Sequence, residues 1–204
     1  MKKIIIAIFA LLLFAGLAFS KINAISLPIG ASIPKPDLVM KDVSGKALSL
    51  QQAKNANGLL VMFSCNTCPV VKANQSRTNQ ICQYALDNKI GVTVINSNEG
   101  GRSTDESFES MQSYAKEQTY KWFYLLDKNN VVADAFGASR TPKCFLFDKN
   151  NKLVYHGAID DSPGDISAVK HTYLKDAINE LASGKNISVK ESRSVGCSIF
   201  RGQQ

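Results

Sequence analysis

Segments typical of buried strands alternate along the chain with segments typical of helices. Residues 59–63 form a continuous apolar run, which indicates a strand covered on both faces of a sheet. The next segment, from 69 to about 88, carries apolar residues at helical spacing and predicts a helix. The patterns predict further strands at 91–96, 122–126, 143–147 and 152–157, and further helices at 105–118, 130–136 and 167–183. This order predicts an α/β fold with a central mixed sheet flanked by helices.

Short polar and glycine signals predict where several elements begin and end. Residues 38–42 and 46–48 are expected to form an N-terminal β-hairpin, and Ser49 is placed to cap a short helix after it. Thr104 is the expected N-cap of the helix at 105–118. Gly137 and Gly184 follow the helices at 130–136 and 167–183, at the position where helices commonly end.

The first residues have the pattern of a bacterial-type signal peptide. Two lysines precede an uncharged apolar stretch at 4–19, and small residues follow it. We expect a signal peptide at 1–24, with cleavage after Ser20 or Ala24, and a periplasmic or other extracytoplasmic location. The alternative is an uncleaved membrane anchor, although a membrane span needs about 20 apolar residues.

The remaining residues, 25–204, suit a single domain in which 185–204 form a C-terminal tail. The 24 Lys and Arg residues exceed the 17 Asp and Glu residues and give a formal net charge of +7. This charge is spread along the chain, with no dense basic run interleaved with aromatic residues, so a nucleic-acid partner is not expected.

Cys65 and Cys68 carry the strongest chemical signal, because they lie three residues apart where a strand ends and a helix begins. That spacing places both thiols on the same side, and the start of a helix favours a thiolate. The Cys-Asn-Thr-Cys-Pro sequence at 65–69 therefore predicts redox chemistry. A zinc site and a structural disulfide are the alternatives. Half of a zinc site would need a second ligand pair, and a structural disulfide at this spacing would add little stability.

The chain has five cysteines, and an odd count in an exported protein fits exchange chemistry better than a fixed disulfide framework. Cys82 is expected to be a core or surface thiol. Cys144, two residues after Pro142, is expected to be buried in the sheet, with proximity to the cysteine pair as the alternative. Cys197, in the tail, is a candidate third redox cysteine; the alternative is a small apolar anchor for the tail.

The order of elements and three further stretches carry a family resemblance. The cysteine pair at the first strand–helix junction, with Thr141-Pro142 before a late hairpin, resembles the thioredoxin fold. Residues 41–50 and 145–157 are similar to the lead-in and closing hairpin of its exported redoxin branch, which includes AhpC/TSA and TlpA/ResA-like proteins. Residues 194–199 are similar to the tail of a redoxin group with a Cys-x-x-Cys-Pro motif.

This resemblance implies an exported thiol-disulfide oxidoreductase with a thioredoxin-like fold and no cofactor. Cys65 would be the exposed attacking thiolate and Cys68 the buried resolving thiol. Pro142 would be a cis-proline beside the disulfide, with an ordinary trans bond as the alternative, and Thr141 would offer backbone groups to an extended partner segment. The partners would be protein thiols or disulfides and an unidentified electron donor, and an uncleaved anchor would be the only membrane contact.

Two positions depart from the thioredoxin pattern. Ser64 stands where thioredoxins usually have Trp, and Leu59 stands where many of them bury an acid that assists proton transfer. The second departure leaves the proton acceptor unassigned.

Three rival activities stay open. A peroxiredoxin-like peroxidase would attack peroxide with Cys68 and resolve the sulfenic acid with Cys65 or another thiol, but Arg140 lies two residues from the place of that family's Arg. A Sco-like copper carrier would bind Cu(I) through soft thiolates, but it uses a longer cysteine spacing and a His that neither His156 nor His171 clearly supplies. A non-enzymatic redox sensor or metal-binding module would show no turnover.

Overall fold

A computed structural model describes residues 26–202, and a seven-stranded mixed sheet forms its centre. The strands, in chain order, are β1 (Met40–Asp42), β2 (Ala47–Leu48), β3 (Gly58–Ser64), β4 (Ile90–Asn96), β5 (Phe123–Leu126), β6 (Arg140–Thr141), β7 (Lys143–Asp148), β8 (Leu153–Gly157) and β9 (Cys197–Ser198). The large sheet has the order β2-β1-β5-β4-β3-β7-β8, while β6 and β9 form a separate two-stranded ribbon. The expected thioredoxin-like α/β fold is confirmed. The signal peptide expected at 1–24 lies outside the described residues.

Helices cover both faces of this sheet. They are α1 (Leu50–Ala53), α2 (Pro69–Asp87), α3 (Phe108–Glu117), α4 (Val131–Phe136) and α5 (Tyr173–Ala182). Side chains of α2, α3 and α5 pack in one hydrophobic cluster, and those of α1 and α4 pack in a second cluster on the opposite face. None of the helices within 26–202 combines the length and the apolar character needed to cross a bilayer.

The strand β3 lies in the middle of the sheet and is buried on both faces. It pairs in parallel with β4 and antiparallel with β7. Alternate side chains of a strand point to opposite faces, so Leu60 and Met62 enter the first cluster, whereas Leu59 and Phe63 enter the second. Burying each such side chain contributes about 1.5–3 kcal/mol, which makes β3 a rigid base for the residues that follow it.

The predicted N-terminal hairpin, one predicted helix N-cap and the predicted glycines at two helix C-termini are confirmed. The hairpin of β1 and β2 forms, and Ser49 caps α1 with a reciprocal hydrogen bond from its own backbone N–H to Gln52. Gly137 ends α4 in the left-handed conformation, at a φ of 60°, and Gly184 follows α5 at a φ of 66°.

The expected starts of two helices are wrong. Helix α3 begins at Phe108 with Ser107 as its N-cap, not at 105 after Thr104, because the Glu106 side chain is held by the loop that follows β3. Helix α5 begins at Tyr173 instead of 167. The preceding backbone is held in a loop, since the Asp161 carboxylate accepts the N–H groups of residues 170 and 171.

The C-terminal tail folds back over the domain. Its residues 190–192 run beside β8, where the His156 N–H donates to the Lys190 carbonyl and the Ser192 N–H donates to the His156 carbonyl. The chain then crosses to β6 and pairs with it as β9. The tail therefore connects one edge of the sheet with the loop that contains Pro142.

Candidate active site

The fold places Cys65 and Cys68 at the junction between β3 and α2. Strand β3 ends at Ser64, and Cys68 is the N-cap of α2, with Pro69 as the first helical residue. Proline suits that position, because its φ is already helical and the missing N–H would have no partner there. Cys68 consequently lies at the helix end whose free backbone N–H groups and dipole favour a thiolate, although its side chain makes no hydrogen bond to them.

Thr141 contacts both thiols. The Cys65 Sγ lies 3.3 Å from the Thr141 Oγ1, and the Cys68 Sγ lies 3.6 Å from the Thr141 carbonyl oxygen. The Thr141–Pro142 peptide bond is cis, which confirms the expectation for Pro142. The structure therefore brings together the two cysteines of the pair and the two residues that precede the late hairpin.

Both thiols of the pair are buried. Cys65 is 1% exposed and Cys68 is 3% exposed, so the expectation that Cys65 is exposed is wrong. They form a small apolar cluster with Val71, against which Val70 and Cys197 pack. The tail contributes to this site, because β9 places Cys197 against the cluster.

The two thiols shift each other's pKa in opposite directions. The interaction with Cys68, together with burial, raises the pKa of Cys65. The interaction with Cys65 lowers the pKa of Cys68, and the nearby Val71 N–H and Cys197 act in the same direction. Such a pair titrates as a unit, and its first negative charge belongs at Cys68, where the helix start stabilises it.

Glu106 is a site residue that the sequence did not reveal. Its buried carboxylate accepts the N–H groups of Asn66 at 3.0 Å and Thr67 at 3.1 Å. It also accepts the Thr67 hydroxyl and the Asn96 amide, each at 2.6 Å. Its negative charge adds to the raised pKa of Cys65. Glu106 thus positions the loop between the cysteines and disfavours a thiolate at Cys65.

The sequence did not reveal Glu106 because the pattern at 105–118 indicates one continuous helix, in which Glu106 has no special position.

Asn66 is held by two further contacts. Its Oδ1 accepts the Tyr124 hydroxyl at 2.8 Å, and its amide donates to the Asp105 carbonyl at 2.8 Å. The residues between the cysteines are therefore fixed by side chains from β5 and from the loop before α3. Nothing in the spacing of the sequence marks these partners.

A cavity of about 360 Å³ opens onto the pair. Its lining includes Cys65, Cys68 and Glu106, together with Cys197 and Phe200 of the tail. The buried pair therefore borders a cavity that the tail helps to form.

The other two cysteines are separate from the site. Cys82, on α2, and Cys144, on β7, are fully buried in the hydrophobic cluster beneath α2 and α5. Burial raises the pKa of both thiols, which keeps them protonated and unreactive. The expected burial of Cys144 in the sheet is confirmed.

The residues considered for the rival activities are engaged elsewhere. Arg140 Nη1 donates to the Gly196 carbonyl oxygen at 3.1 Å and thus binds the tail. His156 Nε2 lies 3.6 Å from Glu191, and His171 stacks on Tyr173.

The chain matches a family model and two solved structures over most of its length. Residues 28–173 match the Redoxin family model. A hypothetical protein from Sinorhizobium meliloti 1021 is 31% identical, with a TM-score of 0.80, and the match covers 88% of this chain and 97% of that one. An uncharacterized conserved protein from Geobacillus kaustophilus is 31% identical, with a TM-score of 0.79, over 87% of this chain and 93% of that one.

Two further matches are to proteins described as thiol-disulfide oxidoreductases. The thiol-disulfide oxidoreductase ResA of Geobacillus thermodenitrificans is 25% identical over 118 residues, which are 58% of this chain and 63% of that protein. The match therefore spans less than two thirds of this curated relative. The thioredoxin domain of a thiol-disulfide oxidoreductase from Bacteroides vulgatus shares the fold, at 20% identity and a TM-score of 0.53, over 64% of this chain and 89% of that one.

Proposed function

The chain belongs to the Redoxin family of the thioredoxin-like superfamily, and we propose that it is an exported thiol-disulfide oxidoreductase. Its Cys65–Cys68 pair exchanges electrons with protein thiols and disulfides. One observation carries this proposal: the two sulfurs converge on Thr141, immediately before the cis-proline. Two close thiols can form a disulfide, and the Thr141 backbone offers a place for an extended segment to pair.

We further propose that Cys68 is the attacking sulfur. Two observations support it: Cys68 is the N-cap residue of α2, where the helix start favours a thiolate, and the charge of Glu106 disfavours a thiolate at the neighbouring Cys65. These roles are the reverse of those that the family resemblance implied for the two cysteines.

The exchange reaction then has two balanced steps. The Cys68 thiolate attacks one sulfur of the partner's disulfide, that disulfide breaks, and the other partner sulfur leaves as a thiolate. Cys65 next attacks the Cys68 sulfur of the mixed disulfide and forms the Cys65–Cys68 disulfide. The partner's second sulfur leaves and takes up the proton from Cys65, so no buried acid at Leu59 is required.

Export is the second part of the proposal. The lysines and the apolar stretch at the N-terminus support a signal peptide over 1–24 that directs the chain to an extracytoplasmic compartment. There a separate dithiol donor, whose identity is open, would reduce the Cys65–Cys68 disulfide. The N-terminal sequence of the protein isolated from its native compartment tests this part. A start at residue 21 or 25 is expected, and a start at Met1 contradicts cleavage.

Turnover of a protein disulfide tests the catalytic part. With dithiothreitol as donor, the wild type should reduce insulin repeatedly, and Cys68→Ser should lose at least about 100-fold in rate, because removal of a nucleophile leaves only residual activity. Cys82→Ala is the matched control, since Cys82 lies in the core and should leave turnover unchanged. Full multi-turnover activity in Cys68→Ser would show that the exchange mechanism is wrong.

A thiol peroxidase is the second candidate, and the position of Cys68 at a helix start supports it. Arg140, which lies near the place of the Arg that peroxiredoxins use, instead donates a hydrogen bond to the Gly196 carbonyl of the tail. A peroxide assay with dithiothreitol separates the candidates. Peroxide consumption that is lost in Cys68→Ser but kept in Cys65→Ser would favour the peroxidase.

A further inference from the structure

The tail strand β9 lies where the proposed function seats a partner segment. It pairs antiparallel with β6, and the register places Cys197 opposite Thr141 and Ser198 opposite Arg140. Thr141 is the residue before the cis-proline. The backbone edge that a partner would use is therefore occupied by this chain's own residues.

Specific contacts hold the tail in place. The Ile199 N–H donates to the Ser139 carbonyl at 3.0 Å, and the Ile199 side chain is buried in the cluster around α4. The Phe200 N–H donates to the Asn98 Oδ1 at 2.9 Å, and its carbonyl accepts the Gly100 N–H at 2.9 Å. These partners come from the loops around the cysteine pair, so the tail is a built part of the site.

Gly196 permits the closest approach of the tail. A Cβ atom at this residue would lie 2.0 Å from the Thr141 carbonyl oxygen and 3.2 Å from the Pro142 Cδ. Any larger residue would force the tail away from Thr141. At Gly202 a Cβ would meet only Glu99, at 3.5 Å or more, which is ordinary van der Waals contact.

The three thiols pack together beside the start of α2. Cys65 and Cys68 belong to one small cluster, and Cys197 packs against that cluster. Cys65 and Cys68 are buried, whereas Cys197 is only partly buried. Among these three, the tail cysteine is the one most open to a protein in solution.

We propose that Cys197 is a third redox cysteine, which exchanges with Cys68 and relays electrons between the buried pair and a protein partner. This proposal rests on the proposed exchange activity of the pair. In the relay step the Cys197 thiolate attacks the Cys68 sulfur of the Cys65–Cys68 disulfide. The Cys65–Cys68 bond breaks, the Cys68–Cys197 bond forms, and Cys65 leaves and takes up the proton lost by Cys197. One disulfide replaces another, so the step requires no external oxidant.

The relay gives the docked tail a function. While β9 lies on Thr141, Cys197 is the most open of the three sulfurs, so a protein reductant can attack the Cys68–Cys197 disulfide at that end. Its thiolate bonds to Cys197, Cys68 leaves as a thiolate at the helix start, and a second thiol of the reductant releases Cys197. Both disulfides share Cys68, so the charge returns to the same sulfur after each cycle.

Oxidised glutathione applied to Cys65→Ser tests the relay. Cys68 first forms a mixed disulfide with glutathione, and Cys197 then displaces the glutathione. Peptide mapping by mass spectrometry without reduction should find an intramolecular Cys68–Cys197 disulfide. A persistent Cys68–glutathione adduct beside a free Cys197 thiol would overturn the proposal.

Glycine variants in the same Cys65→Ser protein show whether docking of the tail drives this step. Gly196→Ala should lengthen the lifetime of the Cys68–glutathione adduct at least about tenfold, because a positioned thiol reacts faster than a tethered but undocked one. Gly202→Ala is the matched control and should leave the lifetime unchanged. Equal lifetimes in the two variants would contradict a relay through the docked strand.

The insulin assay on the wild type keeps this result separate from the proposed function. If the wild type turns over and forms the Cys65–Cys68 disulfide but Cys65→Ser forms no Cys68–Cys197 disulfide, the relay fails and the exchange function stands. If the wild type neither turns over nor forms the Cys65–Cys68 disulfide, the exchange function fails, and the relay that rests on it fails with it.

Discussion

The Glu106 carboxylate accepts the backbone N–H of Asn66 at 3.0 Å, which ties the loop between the two cysteines to the segment before α3. The same carboxylate accepts Thr67, and both residues precede the first turn of α2. Glu106 therefore fixes the position of Cys68 relative to Thr141. Its negative charge also contributes to the raised pKa of Cys65, which leaves the first thiolate of the pair to Cys68.

Glu106→Gln should destabilise the fold. A glutamine side chain has only one acceptor oxygen, so its amide group would face two N–H donors whichever way it points: those of Asn66 and Asn96, or those of Thr67 and Asn98. The expected cost is about 1–3 kcal/mol in the free energy of unfolding, measured by urea denaturation. The control is Glu109→Gln, an exposed residue in the first turn of α3, where a change below about 1 kcal/mol is expected. Equal losses in both variants would contradict the structural role of Glu106.

The lowered pKa of Cys68 predicts a specific pH dependence. A group with a depressed pKa stays ionised as the pH falls below its ordinary value and loses its charge only near the lowered pKa. An ordinary thiol, with a pKa near 8.5, loses about tenfold in thiolate for each unit below that pH. Alkylation of Cys68 by iodoacetamide in the reduced protein should therefore keep a nearly constant rate between about pH 6 and 8. A tenfold fall per pH unit across this window would show that Cys68 is not the anionic sulfur.

A buried ion pair joins α2 to the segment that follows β8. Arg77 Nη1 lies 2.6 Å from the Asp160 carboxylate, and both side chains are almost fully buried. Asp160→Asn should cost about 3–5 kcal/mol of unfolding free energy, because the guanidinium charge would stay buried without its partner. Asp134→Asn removes the exposed pair with Arg201 and should cost no more than about 1 kcal/mol. Thermal unfolding of the two variants compares them directly, and similar shifts in both would contradict the assigned difference in burial.

The sequence predicted those features that follow from a local pattern. The apolar run of β3, the helix after Cys68 and the left-handed glycines each depend on residues close together in the chain. Pro142 could be placed beside the cysteines because the order of strands and helices resembles a known fold.

Features that depend on distant contacts escaped prediction. Glu106 lies 40 positions from Asn66, in a segment that looks helical, and its role depends only on where its side chain points. The strand β9 is two residues long, too short for an alternating pattern, and its docking depends on the missing side chain of Gly196. The burial of Cys65 involves distant residues such as Thr141, 76 positions along the chain, and could not be read from the residues around it.

Trapping of the mixed disulfide tests the central claim most directly. Cys197 is replaced in both proteins compared, since it would otherwise release the trapped partner. When the Cys65→Ser/Cys197→Ser protein is incubated with insulin, we expect a disulfide-linked complex through Cys68 that dithiothreitol cleaves. The Cys68→Ser/Cys197→Ser protein should form no such complex. A complex through Cys65 in the second protein alone would contradict the assignment of Cys68 as the attacking thiolate, and the absence of any complex in both would contradict thiol-disulfide exchange at this pair.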